Sequence, residues 1–227
     1  MLKRSANLWV KIVGIIMIKL RKEALESHFQ TMVMVRDCEG AEALNCDVEK
    51  TIKEPSIDLA QPNQNTATNI DSATKGGFQT PADMVFLDLK NEWVSELKNH
   101  IILPAIEEYL LQVFNVDPLY TPFKVKSWAN RLGEGDWWSP HMHPKEHTLI
   151  SGIYYIEVPE TLSPAGHLEF INPALASVAV GRQMSSRLHQ PTNGQVLLFP
   201  PHYMHFVHPM AGKAIGSVIA FDVSLEH

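Results

Sequence analysis

The sequence predicts an α+β fold in which helices come first and pack on an antiparallel jelly-roll, a cupin-like barrel, that follows. Three observations predict it. Apolar residues recur at three- and four-residue intervals between residues 84 and 116, the helical period. From residue 119 onward that period gives way to short β-prone runs separated by turn signals. Most of the 15 prolines fall in this second half, as expected where many short elements are joined by turns.

The elements follow in order. Met1-Leu2-Lys3-Arg4 precedes an apolar run from Leu8 to Leu20, which Lys11 and Lys19 interrupt. With no small-residue cleavage site after it, and too short for a membrane span, residues 1–24 read as an amphipathic helix or an extension of the domain rather than a signal peptide. Phe29–Val35 is β-prone and Ala41–Lys53 helical. Residues 55–82 read as a long loop, with the polar stretch Gln61–Asn69 and then Gly76-Gly77. The helical stripe runs through Leu89, Trp93, Leu97, Ile101 and Ile102, then Ile106, Tyr109, Leu110 and Val113, with a break expected at Pro104. Five strands are expected at Lys124–Arg131, Leu149–Val158, His167–Ile171, Gln195–Phe199 and Ile215–Val223. The chain thus reads as one domain over 25–227, with helical support in 25–118 and a β core in 119–223, after an extension at 1–24.

Composition narrows the function. A 45% hydrophobic content supports a sizeable core. A net charge of −6 argues against nonspecific nucleic-acid binding, which needs a cationic surface. Cys38 and Cys46 are too few for a disulfide framework or a zinc finger. Two free thiols fit a reducing compartment, and the expected location is cytoplasmic.

Eight of the 11 histidines lie between residues 141 and 208. In an extended segment, residues i and i+2 share a face, so His141 and His143 would project into one cavity. His205, arriving on another strand, could complete one face of a metal's coordination sphere, with open positions left for substrate and oxygen. By itself a His-X-His is a weak signal, since surface histidines are common.

The surroundings add to it. Ser127–Arg131, Gly135, Pro140–Pro144, Ser151–Ile156, Val158–Glu160, Gly194–Pro200, His205 and Ala220-Phe221 form one ordered series. Across about residues 76–223 this series resembles a family of 2-oxoglutarate/Fe(II) oxygenases found in bacteria and phages. The resemblance implies a double-stranded β-helix, Fe(II), 2-oxoglutarate and O₂ as co-substrates, and hydroxylation coupled to oxidative decarboxylation of 2-oxoglutarate. His141 and His205 match the first and distal metal ligands. His143 falls where the family's superfamily carries a carboxylate, which gives a neutral three-histidine set. Glu169 and then Glu146 are the alternatives for a carboxylate ligand. His202 and His208 neighbour the distal ligand, while His147 and His167 read as ordinary polar residues.

For the oxo-acid, the family pattern places an arginine where this chain has Gly216. Lys213 and Ser217 are the nearby substitutes, with Arg131 and Arg182 more remote. Asn130 and Tyr154 or Tyr155 are candidates to hold the oxo-acid's carboxylates; the structural alternative for each is a satisfied amide or a core aromatic. Trp137 and Trp138 read equally as an entrance lining or as packing, and Met204 and Phe206 are expected to face away from the metal. Two other functions stay open. One is a cupin-type metal-dependent oxygenase with three histidines that does not use 2-oxoglutarate. The other is a non-catalytic metal-binding barrel. The primary substrate is not legible, and barrels of this kind often pair as homodimers.

Overall fold

The computed structural model describes residues 9–11, 17–19, 31–54, 76–81, 84–143, 148–173, 185–213 and 215–226. The chain divides into two compact units, residues 1–31 and 32–227. In the first, β1 (Trp9–Lys11) pairs antiparallel with β2 (Met17–Lys19). A helix through these residues, one of the two sequence expectations, is therefore replaced by a short strand pair. The rest of the 1–24 expectation, the polar stretch Gln61–Asn69, Glu146, His147 and Arg182 lie outside the described residues.

The second unit is mostly β, with few helices. A six-stranded sheet has the order β3 (Met34–Asp37), β10 (Gln195–Phe199), β7 (Thr148–Glu157), β12 (Gly216–Leu225), β5 (Phe123–Leu132), β4 (Phe78–Gln79). A four-stranded sheet has the order β6 (Trp138–His141), β11 (His205–Val207), β8 (Leu168–Ile171), β9 (Ser186–His189). Every pairing is antiparallel. From β5 to β12 the chain passes between the two sheets at every step except β8 to β9, so neighbours in sequence sit on opposite walls. The walls face each other: Phe170 on β8 meets Phe199 on β10 edge-on, with ring centroids 5.1 Å apart.

Period-2 alternation gives the large sheet two different faces. Ala129, Ile150, Tyr154, Val196, Leu198, Ile219, Phe221 and Val223 are buried in one core cluster with the helical residues. Tyr155, Leu197 and Phe199 are buried in a second cluster with Leu168 and Phe170 of the small sheet. The first face carries the support; the second lines the barrel.

The supporting elements are α1 (Glu42–Ile52), α2 (Glu92–Leu97) and α3 (Leu103–Phe114). Helix α1 has no side-chain cap and depends on packing, with Val48 and Ile52 fully buried. Asn91 caps α2, its side chain accepting from the amides of Trp93 and Val94. The break expected at Pro104 takes a specific form. A π-helical turn over Lys98–Ile102 leads into α3, and Pro104 sits in the first turn, where its missing N–H is harmless. Asn115, in the left-handed region at φ 54°, ends α3. Among the described residues no helix is long and apolar enough to cross a membrane. Cys38 and Cys46 are free thiols.

Candidate metal centre

Two cross-strand rows meet at one end of the barrel. On the small sheet His141 opposes His205, His205 opposes Phe170, and Phe170 opposes Arg187. On the large sheet Lys126 opposes Asp222, Asp222 opposes Ser151, and Ser151 opposes Phe199. Residues directly opposite in a ladder share a face, so each row presents one side of the site. His143 lies two residues beyond His141, and its backbone N–H donates to the Pro201 carbonyl at 2.8 Å. That bond carries the segment across to the loop leading to His205.

The three imidazoles converge. One ligand atom from each of His141, His143 and His205 falls within 4.8 Å of the others. Ring centroids are 4.3 Å apart for His141 and His205, 5.3 Å for His143 and His205, and 5.2 Å for His141 and His143. The opposite ring nitrogens fix the tautomers. Nδ1 of His141 lies 2.7 Å from the Ser139 carbonyl, and Nδ1 of His205 lies 2.9 Å from the Tyr203 carbonyl. Nδ1 of His143 lies 3.1 Å from Oδ1 of Asp222. A carbonyl or carboxylate oxygen only accepts, so each Nδ1 carries the proton and each Nε2 presents a lone pair. Nε2 of His143 is buried without a hydrogen-bond partner. Three convergent imidazole lone pairs, each backed by a hydrogen bond on the far nitrogen, could hold a divalent transition metal. The residues therefore fit Fe(II).

The walls are apolar. His205 is buried between Phe199 and Phe170, with centroids at 4.8 and 5.9 Å, while Trp128 stacks on His143 at 5.9 Å. Burial first, and then the neighbouring His141 and His143, hold the His205 pKa well below its ordinary 6.5. The ligand is thus neutral and available for a metal at neutral pH. A stability consequence follows for the metal-free protein. The unfolded chain takes up a proton near pH 6.5 that folded His205 refuses, so stability falls as pH drops below that value toward the lowered one. His189 and His167 are lowered in the same direction, chiefly by burial. The melting temperature of metal-stripped protein should fall between about pH 7.5 and about pH 5.5, and His205→Phe should flatten the profile. An unchanged slope in that variant would contradict the assignment.

The oxo-acid candidates separate by strand parity. Tyr155 opposes Val218 and Val218 opposes Asn130, two inner-face rows deeper in the barrel than Asp222. The Tyr155 hydroxyl and Asn130 Oδ1 are both buried without partners. Tyr154 is on the other face. Its hydroxyl donates to Asn45 of α1 at 2.5 Å, which takes it out of the barrel. Ser217 shares the outer face with Ile219 and Phe221 and opposes Arg131, whose partner is Glu49 of α1 at 3.5 Å. Ser217 and Arg131 therefore belong to the helix side. Lys213 is exposed in the turn before β12. Gly216 does sit on the inner face, but a Cβ there would lie 3.4 Å from the Met210 side chain, so methionine occupies the space beside it.

Other candidates are placed as follows. Glu169 points away from the histidines and pairs with His208 Nε2 at 2.5 Å. His202 is exposed, and Trp137 and Trp138 are half-buried. Phe206 opposes Glu169 and so faces away from the metal. Three residues of the two rows escaped the sequence reading: Asp222, Ser151 and Arg187. Asp222 had a local signal, since it directly follows Ala220-Phe221 of the ordered series. Ser151 opens the Ser151–Ile156 piece of that series, while Arg187 carries no signal that strand pairing does not supply.

Residues 126–222 match the family model described as "Putative 2OG-Fe(II) oxygenase". The matched stretch takes in all three histidines and the strands that position them. Solved structures share the fold. A prolyl-4-hydroxylase from Pseudomonas putida superposes with a TM-score of 0.61 at 10% identity, covering 86% of this chain and 93% of its own. A prolyl hydroxylase from Trichoplax adhaerens, in complex with a hypoxia inducible factor peptide, gives 0.60 at 12%, covering 85% and 83%. HygX from Streptomyces hygroscopicus, with nickel, 2-oxoglutarate and hygromycin B bound, gives 0.57 at 10%, covering 86% and 83%. At such identities the likeness speaks for the fold. A search of curated proteins finds no match.

Proposed function

We propose that the chain is an Fe(II)- and 2-oxoglutarate-dependent dioxygenase of hydroxylase type, built on a double-stranded β-helix with the N-terminal helices as its support. The convergence of three Nε2 lone pairs inside an oxygenase-family domain carries this reading. His141, His143 and His205 would hold Fe(II). When bound, Fe(II) with 2-oxoglutarate and O₂ would supply the oxidising power for hydroxylation, with succinate and CO₂ as co-products.

The chain's own residues have distinct tasks. The backbone carbonyls of Ser139 and Tyr203 hold two imidazoles in the ligating tautomer. Phe170, Phe199 and Trp128 screen the site from water. Tyr155 would donate its hydroxyl to an oxo-acid carboxylate; burial raises its pKa, so the hydroxyl keeps its proton. The Asn130 amide would bind beside it. Among the described residues, Arg187, in the row of His205 and Phe170, Lys126, in the row of Asp222, and Lys213 at the turn are candidate cations for the distal carboxylate. The same reading includes a cytoplasmic location, a homodimer, and 25–227 as a single domain after an extension at 1–24.

The test is succinate release from 2-oxoglutarate by protein reconstituted with Fe(II) without oxygen and then exposed to air. The expected result is 2-oxoglutarate turnover that His141→Ala abolishes. Equal release by wild type and variant, with iron bound to the wild type, overturns the proposal.

Gly216 beside Met210 favours a second reading, a three-histidine oxygenase that does not use 2-oxoglutarate. Titration of 2-oxoglutarate into the Co(II) form separates the two: saturable binding supports the first reading, and none supports the second.

A further inference from the structure

The histidine at position 143 leaves the metal face without a carboxylate, yet a carboxylate stands directly behind it. Asp222 is buried on the inner face of β12, 8% exposed. Its Oδ1 accepts from Nδ1–H of His143 at 3.1 Å and from the Ser151 hydroxyl at 2.7 Å. Trp128 stacks on the His143 ring at an interplanar angle of 18°, which limits its rotation. His143 Nε2, on the far side, has no hydrogen-bond partner among the described residues. His143 thus has a carboxylate on one ring nitrogen and, on the other, a lone pair that could hold the metal.

We propose that Asp222 is a positioning residue for the metal, supplying through His143 the negative charge that a coordinating carboxylate would otherwise supply. This rests on the metal reading above. The physical reason lies in how a buried charge must be balanced. A doubly charged ion held by three neutral imidazoles in an apolar pocket is costly without a nearby counter-charge. A carboxylate one ring away offsets part of that cost, fixes the His143 tautomer and makes its Nε2 a stronger donor. Ser151 matters because it aims the carboxylate: both of its cross-strand neighbours, Asp222 and Phe199, border the site. The serine hydroxyl holds Oδ1 at the height of the His143 ring. The carboxylate stands on the far side of the His143 ring from the nitrogen that would hold the metal.

Asp222→Asn separates charge from shape. The amide oxygen can still accept from His143 and Ser151, so packing survives while the charge is lost. Co(II) titration into metal-stripped protein, followed by visible absorption, reads the site without turnover. The expected result is a Kd about 10- to 100-fold weaker in Asp222→Asn, with the metal-free melting temperature no lower than in wild type. Ser151→Ala, which frees the carboxylate to swing, should weaken Co(II) several-fold. Wild-type affinity in Asp222→Asn overturns the proposal, as does, should that variant not fold, wild-type affinity in Ser151→Ala. A wild-type chain that binds no Co(II) overturns the metal reading as well, whereas equal binding by wild type and Asp222→Asn overturns this inference alone.

Discussion

His205→Ala is expected to abolish useful metal binding. His205 is the most deeply buried of the three imidazoles, 3% exposed, and the one whose strand neighbours, His141 and Phe170, form the site's wall. Losing an outer hydrogen-bond partner of a ligand costs about 10- to 100-fold in affinity, so losing the ligand should cost at least ~100-fold. The reading is thermal. In wild type, a divalent metal at about a hundred times its Kd should add about 2.7 kcal/mol of stability, seen as a rise in melting temperature. In His205→Ala the rise should vanish at the same metal concentration. A variant whose melting temperature shifts as far as that of wild type would show that the histidines are not the binding site.

The second large effect concerns the scaffold. Phe221 is fully buried on the helix-facing side of β12 and opposes Gly152 of β7. A Cβ built on Gly152 would come within 2.3 Å of the Phe221 ring and 2.7 Å of Leu198. The glycine is there to make room for the phenylalanine. Phe221→Ala should cost about 3–5 kcal/mol through lost burial and the cavity left behind. Gly152→Ala should cost about 1–3 kcal/mol through overpacking of a rigid core. Together they should cost less than the sum, because the new methyl group enters the space the ring vacates. Urea midpoints of the four proteins measure this, and strict additivity would refute the packing account.

The two effects differ in how visible they are beforehand. The five expected strands appear within one or two residues of their sequence bounds, as in Gln195–Phe199. Long apolar runs announce a strand whatever their surroundings. Strands β6, β9 and β11 are not among those five, although the histidine spacing supposed an extended segment at His141 and a strand at His205. They are three or four residues long, and Ser186–His189 has only one apolar residue, Leu188, so no period can be read from them. They nonetheless carry His141, Arg187 and His205, because a site built at strand ends draws on short, polar pieces. Tyr154 and Tyr155 show a different limit. Alternation requires that they face opposite ways, but only the register against Val218 and α1 decides which one enters the barrel. Ser217 and Gly216 divide by the same rule.

By itself, the sequence determined the candidate donors: two histidines at strand spacing and a third after the Gly194–Pro200 run, in an order that resembles one oxygenase family. Those are local properties of the chain, set by residue type and period. Only the tertiary structure decided what stands behind and beside them. Asp222 reaches His143 across 79 residues of sequence, and Ser151 reaches Asp222 across 71. Such partners are chosen by strand pairing and sheet closure. A one-residue change of register would send Asp222 to the helix face and leave His143 without its carboxylate.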